Sequence, residues 1–291
     1  MEVGSNVAGE NPRVHPERGT SPSIPGAVGC ALAIAVLVGL TALLAGVRTD
    51  FDPGGPVSAM QTDGGPVVGF AFALLSALGT GVGLVAITGV AVLALARAGR
   101  RYDAAFVGVA VFGAVILSRA LKYYFHAPRP SSPEWVASAI SSADAIVAIA
   151  VGVAIGVALL TRWRAWVVAG LAVAIAAFAL ETVSARLLPL TSGLESFPSG
   201  HAMYSMTLAS AVAPLAWRSA RPRYPVLAAL LLYVPGVGLS RVYLHAHFPA
   251  DVVAGWCVAL AWAAGLRLFW VAMAQQRKWQ WPRYGTRGPG L

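Results

Sequence analysis

Apolar residues in this chain come in long unbroken runs, not in strand-like alternation or a narrow helical stripe. Runs near the ~20 residues needed to cross a bilayer predict transmembrane helices. Spans are expected at about 27–47, 79–98, 103–121, 143–161, 163–181, 201–217, 225–239 and 251–273. Residues 66–78 are also apolar, but Gly79, Gly81 and Gly83 interrupt them, so they read as a short interfacial helix leading into the second span. The run 225–239 is short for a span, and tilt or extension into the polar stretch after it must supply the missing length. The expected fold is all-α, a polytopic membrane bundle of about eight spans. Residues 1–26 are polar and rich in Pro, Gly and Ser, which predicts a disordered tail. No small-residue cleavage site follows the first apolar run, so no cleaved signal peptide is expected. The membrane domain is placed at 27–273 and a basic tail at 274–291.

Charge sets the orientation. The chain is 57% hydrophobic and 11% charged, with a formal net charge of +9. In a soluble protein that excess would point to nucleic acid. Here all but six of the 21 basic residues fall in the two tails and the even-numbered loops. The positive-inside rule makes that side cytoplasmic, with both termini on it, and no nucleic-acid partner is expected. The six exceptions are Arg48, Arg119, Lys122, Arg129, Arg186 and Arg241. A cation held at the edge of the hydrocarbon against that bias normally has a partner or a task. Cys30 and Cys257 each lie inside an apolar run and give no disulfide framework or metal spacing.

Three polar clusters share the outer face. The stretch from Ser240 to Asp251 holds Arg241, His245, His247 and Asp251 between two apolar runs. Pro249 suits the first position of a helix, which puts Asp251 in the first turn and His247 just before it. The carboxylate can then hold one imidazole nitrogen and leave the other free for nucleophilic or acid–base work. Phe197-Pro198-Ser199-Gly200-His201 precedes the sixth span. There Ser199 is a good N-cap, Gly200 permits close approach to the backbone, and free N–H groups attract an anion. Lys122 to Pro130 closes the third span, and Pro128 should turn the chain so that Arg129 folds back. Each cluster alone also reads as interfacial anchoring beside a helix cap. His126 reads as an anchor and His245 as a neighbour of the site. Tyr123, Tyr124, Trp135 and Tyr243 read as an aromatic belt.

Taken together, Lys122-x6-Arg129-Pro130, Pro198-Ser199-Gly200-His201 and Ser240-Arg241-x5-His247-x3-Asp251 resemble the signature of the type 2 phosphatidic acid phosphatase superfamily. That group includes membrane lipid phosphatases and haloperoxidases. The resemblance covers roughly 65–273 and implies a six-helix phosphatase core. It implies that His247 attacks phosphorus to form a phosphohistidine and that Asp251 orients it. The resemblance further implies that His201 protonates the leaving alkoxide and that Lys122, Arg129, Ser199, Gly200 and Arg241 hold the phosphate oxygens. Three fixed cations can neutralise those oxygens. With no additional carboxylate cluster for magnesium, metal independence and no cofactor are expected.

One departure stands out. In the family the first two motifs usually share a loop, whereas here residues 131–197 separate them, with 143–181 apolar enough for an inserted hairpin. An even number of crossings returns the chain to the same face. The stretch Arg162–Pro189 faintly echoes Arg100–Pro130, so Arg186 is a rival for part of the first motif. The expected function is a multi-pass cell-membrane phosphatase with an extracytoplasmic site. Its substrate is a lipid phosphate or diphosphate: phosphatidate, phosphatidylglycerol phosphate or polyprenyl diphosphate. No obligate protein partner is expected. A lipid phosphotransferase using the same intermediate, or a non-catalytic lipid-binding or transport protein, are the alternatives.

Overall fold

Long apolar stretches leave the backbone one economical way to satisfy its own N–H and C=O groups in lipid, the helix. The computed structural model describes residues 24–47, 65–79, 81–130, 134–160, 195–218 and 223–280. Among these are eight helices: α1 Ile24–Val47, α2 Gly65–Ala77, α3 Gly81–Arg97, α4 Arg101–Phe125, α5 Glu134–Leu160, α6 Gly200–Trp217, α7 Arg223–Tyr243 and α8 Pro249–Gln280. No strand occurs among the described residues, although an isolated antiparallel bridge joins Pro128 to Glu195. Most of the N-terminal tail, the expected span at 163–181, Arg186 and the end of the basic tail lie outside the described residues.

Apolar run and helix correspond closely. The separate helix expected at 66–78 is α2, and the glycine-rich break after it includes Gly81 at φ +50°. Gly79 also lets the end of α2 approach its neighbours. A Cβ there would sit 2.5 Å from Val237 Cγ1 and 3.4 Å from the His201 ring. Helix α7 gains its length by extension, running past 239 to take in Ser240 and Arg241. Helix α5 starts at Glu134, nine residues before the expected edge at 143.

Among the described residues three helices are long and apolar enough to cross a membrane: Arg101–Phe125, Arg223–Tyr243 and Pro249–Met273. Shorter apolar helical stretches occupy parts of α1, α2, α3 and α5. Helix α6 is less apolar, for a physical reason. It packs against α4, α7 and α8, so protein rather than lipid surrounds its buried Ser205 and Thr207. Phe106, Val107, Ala110 and Val111 of α4 meet Leu208, Ala211 and Leu215 of α6 in the main core. Outward-facing Val90, Phe112, Ile116, Leu231, Leu232 and Phe269 are all exposed. Such an apolar exterior belongs in lipid.

A second cluster sits beneath the polar motifs, where Ala73 and Ala77 of α2 and Val136 and Ala143 of α5 pack with Tyr243 and Leu244. This corrects the reading of Tyr243 as part of a belt. It is 6% exposed and stacks on Phe72 at 4.2 Å between ring centroids, because α2 covers the end of α7. Tyr123 and Tyr124 are exposed as expected, while the Trp135 side chain is outside the described ones.

Candidate active site

The turn between α7 and α8 is folded over one carbonyl. Ala246 N and His247 N both donate to the Arg241 carbonyl oxygen, at 3.0 and 3.2 Å, and His245 takes the left-handed conformation at φ 51°. Pro249 opens α8, where a missing N–H costs nothing. Asp251 then lies in the first turn, wholly buried, and its Oδ2 accepts the Phe248 N–H at 3.0 Å. His247 is 2% exposed, with Nδ1 3.5 Å from Asp251 Oδ2. Ser196 Oγ lies 3.2 Å from the same Nδ1 and donates its hydrogen to Asp251 Oδ2. A serine has one hydrogen to give. With that hydrogen on the carboxylate, its lone pair faces Nδ1, so the ring proton belongs on Nδ1 and Nε2 keeps a lone pair. Burial pushes the His247 pKa down to about 3, helped by Arg241 and Lys122 and opposed by Asp251. His247 is therefore a neutral imidazole near pH 7.

Asp251 also anchors the second motif. Its backbone carbonyl accepts the Ser199 N–H at 2.9 Å. Ser199 occupies the N-cap of α6 with extended backbone (φ −67°, ψ 115°), but its side chain makes no cap hydrogen bond. Ser199 thus stands at the expected cap position, without the side-chain hydrogen bond of a serine cap. The backbone is held by α8, and the buried Oγ has no hydrogen-bond partner. Gly200 packs tightly, since a Cβ would lie 3.1 Å from both Ser118 Oγ and Tyr204 Oη. His201 follows in the first turn, its ring against Gly79.

The first motif closes the ring. Helix α4 stops because His126 turns left-handed at φ 45°, its N–H on the Lys122 carbonyl, and Pro128 two residues on bars continuation. The chain then runs beside the segment entering the second motif. Ser196 N donates to Ala127 O at 2.7 Å, Arg129 Nε donates to Glu195 O at 3.4 Å, and Phe125 meets Phe197 edge-on at 4.9 Å. The first two motifs are thus neighbours despite the residues between them. Lys122 feels the charges of Arg129, Arg241, Glu195 and Asp251. His201 feels those of Arg241, Lys122 and Arg129 and lies near His247. All eight residues singled out from the sequence, Lys122, Arg129, Ser199, Gly200, His201, Arg241, His247 and Asp251, belong to one cluster of segments.

The cations are graded by depth. Arg129 is exposed, Lys122 is half-buried, and Arg241 is 4% exposed. Arg241 donates through Nη1 to Ser76 Oγ on α2, and its buried Nε–H has no hydrogen-bond partner. His126 is exposed and packs on Tyr123, which fits an anchor. Sequence reasoning missed Ser76, Glu195 and Ser196. Ser76 sits in a stretch that reads only as apolar, and Glu195 and Ser196 precede a motif without belonging to it. Among the described residues no group of three His, Cys, Asp or Glu side chains could hold a metal ion.

Apolar helices carrying a buried histidine–serine–aspartate chain, with arginine and lysine around it, define a helical membrane protein with a polar site at one end of the bundle. The profile of the PAP2 superfamily matches residues 103–278, and the chain belongs to that superfamily, the type 2 phosphatidic acid phosphatases. Its members are generally phosphatases, which makes phosphoester hydrolysis the general activity. No curated protein and no solved structure matches the chain.

Proposed function

We propose that the protein is a multi-pass membrane phosphatase that removes phosphate from a lipid phosphate or diphosphate through a phosphohistidine, without a metal. The observation that carries this reading is a pair of unsatisfied donors beside an oriented histidine. Arg241 Nε–H and Ser199 Oγ are buried without partners. A buried polar group left unpaired costs about 1–3 kcal/mol, and an anion bound between these segments would relieve both. A tetrahedral phosphate brings the oxygens to do so, and Lys122 and Arg129 add two further cations.

In this mechanism His247 Nε2 attacks phosphorus, and a P–N bond forms as the P–O bond to the lipid breaks. His201 gives its proton to the departing group, the alkoxide of a lipid monophosphate or the lipid phosphate released from a diphosphate. Asp251 holds the charge that develops on the His247 ring. Water then attacks the phosphohistidine, with His201 taking the proton, and free phosphate leaves. Lys122, Arg129, Arg241, Ser199 and the Gly200 N–H stabilise the oxygens as charge moves among them. The positive-inside asymmetry of the sequence supports a site on the extracytoplasmic face of an eight-span bundle with both termini inside. A lipid tail can stay in the bilayer while its headgroup enters past Arg129.

The test is phosphate release from vesicles carrying phosphatidate, phosphatidylglycerol phosphate or polyprenyl diphosphate, with no metal added. One of these should turn over and leave an acid-labile, base-stable phosphoprotein. His247→Ala should abolish both signals while His245→Ala keeps them. Release by His247→Ala at the wild-type rate would refute the assignment.

A further inference from the structure

We infer that Ser196 is a positioning residue, the hydroxyl through which Asp251 holds the Nδ1 proton of His247 and aims Nε2 outward. The inference rests on the proposed phosphohistidine reading and adds a residue that lies outside the three motifs. Ser196 is wholly buried. Its backbone N–H is spent on the Ala127 carbonyl at 2.7 Å, which fixes the residue between the first and second motifs. Its Oγ touches both members of the pair, His247 Nδ1 at 3.2 Å and Asp251 Oδ2. The direct Nδ1–Oδ2 distance of 3.5 Å is at the outer limit for a hydrogen bond. The better-formed path runs Nδ1–H to Ser196 Oγ, then Ser196 O–H to Asp251 Oδ2. Asp251 Oδ2 also accepts from Phe248 N, so the carboxylate is fixed from two sides and the serine is the adjustable link.

The chain of two hydrogen bonds has a chemical consequence. When Nε2 becomes bonded to phosphorus, the ring acquires positive charge and Nδ1–H becomes a stronger donor. Ser196 passes that demand to the carboxylate without any proton leaving the ring. Replacing the hydroxymethyl side chain by a methyl removes the link and lets the ring rotate or adopt the other tautomer, with its proton on the nitrogen that must attack. Misplacement of a reacting group by about 1 Å costs on the order of 10²-fold in rate. Substrate binding rests on other residues and should change little.

The experiment compares full-length wild type, Ser196→Ala and Ser196→Thr in detergent micelles. Its readouts are kcat and KM on the lipid phosphate that turns over, and ¹⁵N NMR of histidine-labelled protein, with His247 identified by its loss in His247→Asn. The expected result is a kcat about 10–100-fold lower for Ser196→Ala, KM within about twofold, and recovery in Ser196→Thr. The wild-type His247 signal should report a proton on Nδ1, lost or exchanging in Ser196→Ala. An unchanged kcat in Ser196→Ala, or a wild-type proton on Nε2, overturns the inference. If Ser196→Ala does not fold, the wild-type tautomer decides. If the wild type hydrolyses no lipid phosphate, the proposed function fails while the NMR still reports whether Ser196 orients the ring.

Discussion

At Gly255 helix α8 packs tightly against the start of α6, and filling that gap should disable the site from outside it. A Cβ at 255 would lie 2.7 Å from the Ser199 carbonyl oxygen, 3.2 Å from Met203 N and 3.3 Å from Ala202 Cβ. Two of these atoms are backbone at the start of α6 and cannot swing away. Restoring an ordinary 3.4 Å contact requires α8 and α6 to part by about 0.7 Å. The Ser199 N–H to Asp251 carbonyl bond, 2.9 Å long, lies across that same contact. Parting the helices therefore moves Asp251, and His247 with it, away from Ser199, Gly200 and His201. Overpacking of this kind costs about 1–3 kcal/mol. A displacement approaching 1 Å at reacting groups lowers the rate by about 10–100-fold. Gly255→Ala should thus lower the apparent melting temperature in micelles and cut phosphate release. Gly108→Ala on α4, where a Cβ meets nothing within 4 Å, is the control and should change neither. A Gly255→Ala protein with wild-type melting and turnover would refute the view that this helix contact sets the geometry of the site.

Three further outcomes follow from the same structure. Ser76→Ala removes the hydroxyl that holds Arg241 and should raise KM by about three- to tenfold with a smaller effect on kcat, since one hydrogen bond to a charged group is worth about 1.5–3 kcal/mol at most; steady-state kinetics on the turned-over lipid checks it. For pH, the His247 pKa is about 3 in the fold and about 6.5 in an unfolded chain. Between those values the unfolded state binds more protons, so stability from this group is complete above about pH 6.5 and is lost as pH falls towards 3. Melting between pH 7 and 4.5 should therefore fall more steeply for wild type than for His247→Asn, and equal slopes would contradict the burial argument. Chelation by EDTA should leave the rate within about twofold, because Lys122, Arg129 and Arg241 supply the positive charge; loss of activity restored by a divalent cation would show that they do not suffice.

The linear chain already determined the helical class and the polar clusters that interrupt the apolar runs. Runs of apolar residues specify helices because lipid offers the backbone no partners, so α4, α7 and α8 appear where hydropathy puts them. Pro128 and Pro249 act on their own local backbone, so the turn after α4 and the start of α8 were also legible. The four-residue spacing of His247 and Asp251 is likewise short-range. What only the tertiary structure decided is which distant groups complete the site. Ser196 meets His247 and Asp251 across 51 and 55 residues, and Ser76 meets Arg241 across 165. Such pairs leave no periodic trace, because a serine serves equally well at a surface, in a cap or between two helices. Tyr243 and Ser199 make the same point from the other side. Aromatic character predicted a belt, but α2 buried the ring; Ser199 does stand at the cap position, but α8 holds its backbone and its side chain caps nothing. Local sequence sets the preferences of a residue, and the packing of other helices decides which of them is met.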